Sequence, residues 1–110
     1  MRVKTSELEG AALDWAVAKA VKAECYFTAD IEWWKSPHRF AASSSWIFGG
    51  HLIDEYNIEI MRAGHEVWAK VAGLRDAACD GRTALEATCR AVVRHLLGND
   101  VDVPEELCSE

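Results

Sequence analysis

Four histidines, His38, His51, His65 and His95, are the side chains best suited to move protons or hold a metal here. None stands in an HxH, HxxxH or HExxH arrangement, and none has a nearby carboxylate at metal-ligand spacing. His65 adjoins a turn glycine, and His95 adjoins a core leucine near a helix C-terminus, where an imidazolium is mildly favoured. His51 follows Gly49-Gly50 and is the one histidine placed where a ligand could approach backbone. Ser43-Ser44-Ser45 could supply a nucleophile, but an attacking serine needs a base and an oxyanion hole, and no Gly-x-Ser-x-Gly elbow is present. Helix capping explains these serines more simply. Asp54-Glu55 would point about 100° apart on a helix, so they do not form an acid–base pair. Cys25, Cys79, Cys89 and Cys108 lack CxxC spacing and read as reduced thiols of a cytoplasmic protein. No cofactor is expected, because no phosphate-binding glycine pattern or metal cluster is present.

The aromatic residues carry more information. Five of the 110 residues are tryptophan, and Trp33, Trp34, Phe40, Trp46 and Phe48 cluster within sixteen positions. If Trp33 and Trp34 lie on a strand, they point to opposite faces, so one of them needs cover from outside a single core layer. The bland reading buries them under helices on both sides of a sheet. The functional reading makes the segment an anchor for a protein partner or a second copy of the chain. Only Lys35 and Arg39 interleave with these rings, so base stacking is disfavoured.

Charge supports the same exclusions. Residues 1–98 hold twelve basic and thirteen acidic side chains, and the last twelve residues add five acids, for a net charge of −6. A basic track is missing, which disfavours nucleic acid as a partner, and no stretch is long and apolar enough to span a membrane. No secretory segment is expected ahead of the first helix.

The elements that must position these residues follow from periodicity. Leu13, Ala16, Val17 and Ala20 share one face of a helix expected over 6–22, opened by a Ser6/Glu9 capping box, with Asp14, Lys19 and Lys22 turned away. Aromatic and β-branched residues over 24–35 predict two short strands, and Ser36-Pro37 begins a loop. A second helix is expected over 45–56, with Trp46, Gly50 and Ile53 on one stripe and Gly49-Gly50 close to another backbone. Ile58–Arg62 and Glu66–Val71 alternate around Gly64 as a hairpin, and 73–82 reads as a polar connection. Thr83 and Glu86 open a last helix over 84–97, with Leu85, Cys89, Val92, Val93 and Leu96 inward, Glu86, Arg90 and Arg94 outward, and Gly98 as terminator. The fold class is therefore α+β: a small antiparallel sheet packed between helices, in the order α-β-β-α-β-β-α. Residues 1–98 form one domain, and 99–110 form an acidic tail on which Val101, Val103 and Leu107 can fold back.

Three blocks resemble a known family. Val3-Lys4-Thr5-Ser6-Glu7-Leu8 with Gly10 through Ala20, then Ser44-Ser45-Trp46 with Gly49-Gly50 and Ile53, then Gly81-Arg82-Thr83 through Arg90 with Gly98 and Val101–Leu107, resemble the NinX-type phage and prophage proteins. The family's usual Thr-Asp before the tryptophan is Ser44-Ser45 here, and its usual proline after Gly-Gly is His51, so no role of that aspartate carries over. The resemblance implies a phage accessory protein in the host cytoplasm and brings no activity with it. The preferred expectation is action by contact with a host or phage protein, possible targets being a host defence or regulatory factor. The alternatives are a ligand binder or enzyme with a pocket near Ser44–His51, and a structural homodimer. The candidate residues are Trp33, Trp34, Phe40, Ser44, Ser45, Trp46, Phe48, Gly49, Gly50 and His51.

Overall fold

The computed structural model describes residues 1–22, 30–36, 39–73 and 78–108. Its elements are β1 (Arg2–Lys4), α1 (Gly10–Ala20), α2 (Ile31–Lys35), α3 (Trp46–Glu55), β2 (Ile58–Ala63), β3 (Glu66–Val71), β4 (Cys79–Gly81), α4 (Ala84–Leu97) and β5 (Asp100–Asp102). The α+β class holds, and the final helix and central hairpin fall where the spacing predicts them.

Alternation sets the hairpin. Ile58 pairs with Val71, Ile60 with Ala69 and Arg62 with Val67, all on one face, while Gly64 makes the turn at φ +63°. The expected polar connection contains a third strand: β4 extends this face by pairing Ala69 with Cys79 and Val67 with Gly81. Helix α4 lies across β3 and β4, and α1 and α3 pack against it in turn. It approaches so closely that a Cβ on Gly81 would stand 2.5 Å from the Ala87 backbone nitrogen. Among the described residues, the helices that contact the sheet are α3 and α4. The sheet's other face carries Glu59, Met61, Glu66, Trp68, Lys70 and Asp80, exposed or half-buried.

The first helix begins later than expected. Thr5–Glu7 is a 3-10 turn, and Glu9 occupies the N-cap of α1 without a side-chain cap bond, so the Ser6/Glu9 box does not form. Leu13, Ala16 and Val17 are buried as predicted, but so is Asp14, which was expected outside. In α4, Glu86 and Arg90 are likewise buried rather than solvated, and Leu96 is 38% exposed while Cys89, Val92 and Val93 fill the core. Thr83 caps α4 by accepting from the Glu86 N–H, and the Glu86 carboxylate reaches back to the Arg82 N–H.

Residues 24–35 do not give the expected pair of strands. Positions 23–29, including Cys25, lie outside the described residues, and Ile31–Lys35 is a short helix. Asp30 caps it, accepting from the Trp33 N–H at 3.0 Å. Beyond Gly98, β5 pairs antiparallel with β1, setting Asp100 opposite Lys4 and Asp102 opposite Arg2. Val101, Val103 and Leu107 are buried as expected of the tail, while Asp100, Asp102, Glu105 and Glu106 are exposed.

Candidate functional site

The segment leading into α3 is fixed from the core by one carboxylate. Asp14 is fully buried; its Oδ2 accepts from Arg39 Nε at 2.8 Å and its Oδ1 from the Ser43 backbone N–H at 2.8 Å. The Ala41 carbonyl then accepts from the Ser44 and Ser45 N–H groups, closing the turn that starts α3. Ser45 occupies the N-cap, as expected, yet its hydroxyl makes no cap bond.

The buried stripe of α3 is rotated from the predicted one. Gly49 and Leu52 face inward, and Trp46 does not. A Cβ on Gly49 would overlap the Ala42 carbonyl oxygen and lie 3.0 Å from Leu85 Cδ2, which is the backbone proximity that the glycine pair suggested. Gly50 is half-buried beside the Trp46 ring. Trp46, Ile47 and Phe48 consequently turn outward, at 62%, 76% and 38% exposure. Phe48 keeps an edge contact with buried Phe40 at 5.2 Å between ring centroids.

Trp33 and Trp34 stand on a different support, because α2 packs against α1 and the Glu105–Leu107 turn, whereas α3 packs against α4 and β2. On a helix the two indoles need not oppose each other. They meet edge to face at 5.0 Å, with Trp34 in the core and Trp33 half-buried. The ten candidate residues therefore divide into a core aromatic pair and a group around the start of α3.

Beside that group runs a cleft of about 430 Å³, lined among others by Ser43, Ser44, Trp46, Arg62, Arg82 and Thr83. His51 is exposed on α3 and is not part of this lining. His65 is exposed in the hairpin turn, His95 is exposed with its ring against Tyr56, and His38 lies outside the described residues. Among the described residues no group of three His, Cys, Asp or Glu could hold a metal ion. Nor is any helix among them long and apolar enough to cross a membrane. Among the described residues Cys79, Cys89 and Cys108 form no disulfide. Burial raises the thiol of Cys89, and it raises that of Cys79 against an opposing hydrogen bond and charge from Arg94, so neither is a poised thiolate.

The far wall of the cleft is held by Glu86. Burial alone would raise its carboxyl, but hydrogen bonds from the Arg82 side chain and backbone, with the Arg90 charge, outweigh burial and hold it below its ordinary value. Arg82 Nη2 lies 2.7 Å from Glu86 Oε2. Arg90 in turn donates to the carbonyls of Leu8 at 2.7 Å and Asp80 at 2.8 Å.

Sequence reasoning missed Ile47, Arg62, Arg82 and the Asp14–Arg39 pair as parts of this site. A signal for Ile47 was present, since three consecutive apolar residues span more of a helix than one buried stripe can cover. No local signal could join Arg62 to Arg82, because the sheet register brings them together. No curated protein matches the chain. The family model described as Bacteriophage P22, NinX matches residues 4–95, which include α1 to α3, α4 up to its last two residues and the whole cleft, and the chain belongs to this phage protein family.

Proposed function

We propose that this phage protein works as an accessory factor in the host cytoplasm by binding another protein, and that the first turn of α3 is its contact surface. The observation that carries this reading is the outward run Trp46-Ile47-Phe48, two of whose members are more than three-fifths exposed on a small domain. Large apolar side chains left in water are unusual in such a group, and tryptophan in particular anchors interfaces. Covering one of them contributes about 1.5–3 kcal/mol, so Trp46 and Ile47 together could supply several powers of ten in affinity. The buried Asp14 network beneath supports the reading further, since an anchor held rigidly loses little freedom on binding.

The test uses the double variant Trp46→Ser with Ile47→Ser. Both side chains are exposed, so the urea midpoint should stay close to wild type. A partner captured from phage-carrying cells and then purified should bind the double variant at least about a hundredfold more weakly in calorimetry. Equal binding by the two forms would refute the proposal. A dimer in light scattering that dissociates only in the double variant would replace the foreign partner with a second copy.

A further inference from the structure

One arginine beside the exposed turn, Arg62, is left unpaired among the described residues. The register sets Arg62, Val67 and Gly81 in a row across the face of the sheet that carries the core. Val67 is buried, but at Arg62 the row passes out into solvent. Arg2 pairs with Asp102, Arg39 with Asp14 and Arg82 with Glu86, while Arg90 and Arg94 donate to backbone carbonyls. Arg62 makes no hydrogen bond or ion pair among the described residues.

Its surroundings favour a negative charge. Arg62 and Arg82 line the same cleft as Trp46, and among the described residues no carboxylate lines it, in a chain whose net charge is −6. Arg82 is steadied by Glu86, so its guanidinium stays at the cleft wall. Helix α3 starts at the same place with no side-chain cap bond and no acid in its first turn, which adds partial positive charge there. An exposed arginine placed next to an exposed tryptophan, with hydroxyls of Ser44 and Thr83 in the same lining, matches an acidic side chain followed by an apolar one.

We infer that the cleft receives an aspartate or glutamate of the protein partner, paired with Arg62, while the partner's neighbouring apolar residue packs on Trp46 and Ile47. This rests on the contact reading above and adds a charge and a register to it. The two can fail separately.

The experiment places the photoreactive residue p-benzoylphenylalanine at Ser44 of the full chain and irradiates cells carrying the phage. The cross-linked peptide is then mapped, and the purified partner is titrated against wild type, Arg62→Gln, Arg62→Lys and the Trp46/Ile47 double variant at low and moderate salt. The expected results are a cross-link within about one helical turn of an Asp or Glu, binding weakened about tenfold or more in Arg62→Gln with a shallower salt dependence, and substantial rescue in Arg62→Lys. Amidating that partner acid should then cost nothing further in the Arg62→Gln background. Wild-type affinity in Arg62→Gln alongside lost affinity in the double variant would overturn the acidic partner and leave the contact reading standing. Wild-type affinity in both variants, or no cross-linked protein at all, would overturn both. A cross-link to a segment without an acid, or to a second copy of the chain, would overturn the assigned occupant.

Discussion

Asp14→Asn tests whether the approach to α3 is held by charge from the core. The carboxylate is fully buried, with Arg39 Nε on one oxygen and the Ser43 N–H on the other, both at 2.8 Å. Asparagine keeps one acceptor and presents an amide N–H to the other donor. The direct loss is one charge-assisted hydrogen bond, about 1.5–3 kcal/mol. Leaving the guanidinium without its counter-ion adds to this, but the Arg39 side chain is 21% exposed and water offsets part of that cost. A total of about 3 kcal/mol follows for Asp14→Asn, and somewhat more for Asp14→Ala, where the Ser43 N–H also loses its acceptor.

Urea unfolding followed by circular dichroism measures this. With a slope of about 1.5 kcal/mol per molar, the midpoint should fall by about 2 M with the slope unchanged. The cycle with Arg39→Gln should show a coupling above about 1 kcal/mol, since the residues touch. In hydrogen exchange, the Ser43 amide should be protected in wild type and should lose protection in Asp14→Ala. A midpoint within a few tenths molar of wild type, or additive single variants, would refute the idea that this pair anchors the segment.

Two further outcomes check the opposite wall of the cleft. Gly81→Ala places a Cβ 2.5 Å from the Ala87 nitrogen and 3.0 Å from its Cα, both backbone, so α4 must move; a loss of about 2–3 kcal/mol and a fall in Tm of about 10 °C or more are expected, and an unchanged Tm would contradict the close packing. The Glu86 carboxyl lies below its ordinary 4.5 in the folded chain, so its contribution is fully present above that pH and is lost as pH falls through the folded value. Glu86→Gln should therefore be less stable than wild type near pH 7 and should converge with it in acid. Parallel pH–stability curves would show that the carboxylate gains nothing from Arg82 and Arg90.

What the sequence could reveal was set by period and reach. Helix α4 and the β2–β3 hairpin are long enough for 3.6- and 2-residue spacing to stand out, so both were legible. Strand β4 has three residues, Cys79-Asp80-Gly81, too few to show alternation, and it forms because β3 offers an edge. The Trp33-Trp34 run resembles a strand by composition, but the Asp30 cap turns it into helix. Charges were hardest to place. Asp14, Glu86 and Arg90 read as solvated because their spacing is polar, yet Asp14 is paired 25 positions away and Arg90 bonds a carbonyl 82 positions away. The stretch from Ser44 to Gly50 is local in sequence and lies around the start of α3, whereas Arg62 and Arg82 join it only through the sheet.

The buried charges and the cleft belong to one construction. Asp14 on α1 holds Arg39 and Ser43, just ahead of Trp46; Glu86 and Arg90 on α4 hold the Arg82 side chain, its N–H and the Asp80 carbonyl. Helices α1 and α4 pack directly on each other, so both walls are referred to the same rigid pair. For stability alone, well-packed apolar side chains at these positions would serve about as well or better. What hydrogen-bonded charges add is position, because each fixes a particular backbone atom rather than filling a volume. A domain of this size that commits several buried charges to orienting two surface segments has its strictest geometry at the cleft walls, in the turn that leads to Trp46 and at the Arg82 guanidinium. On the contact reading this is where fixed geometry is useful, since a partner met by a preformed apolar anchor and a waiting cation loses less entropy on docking.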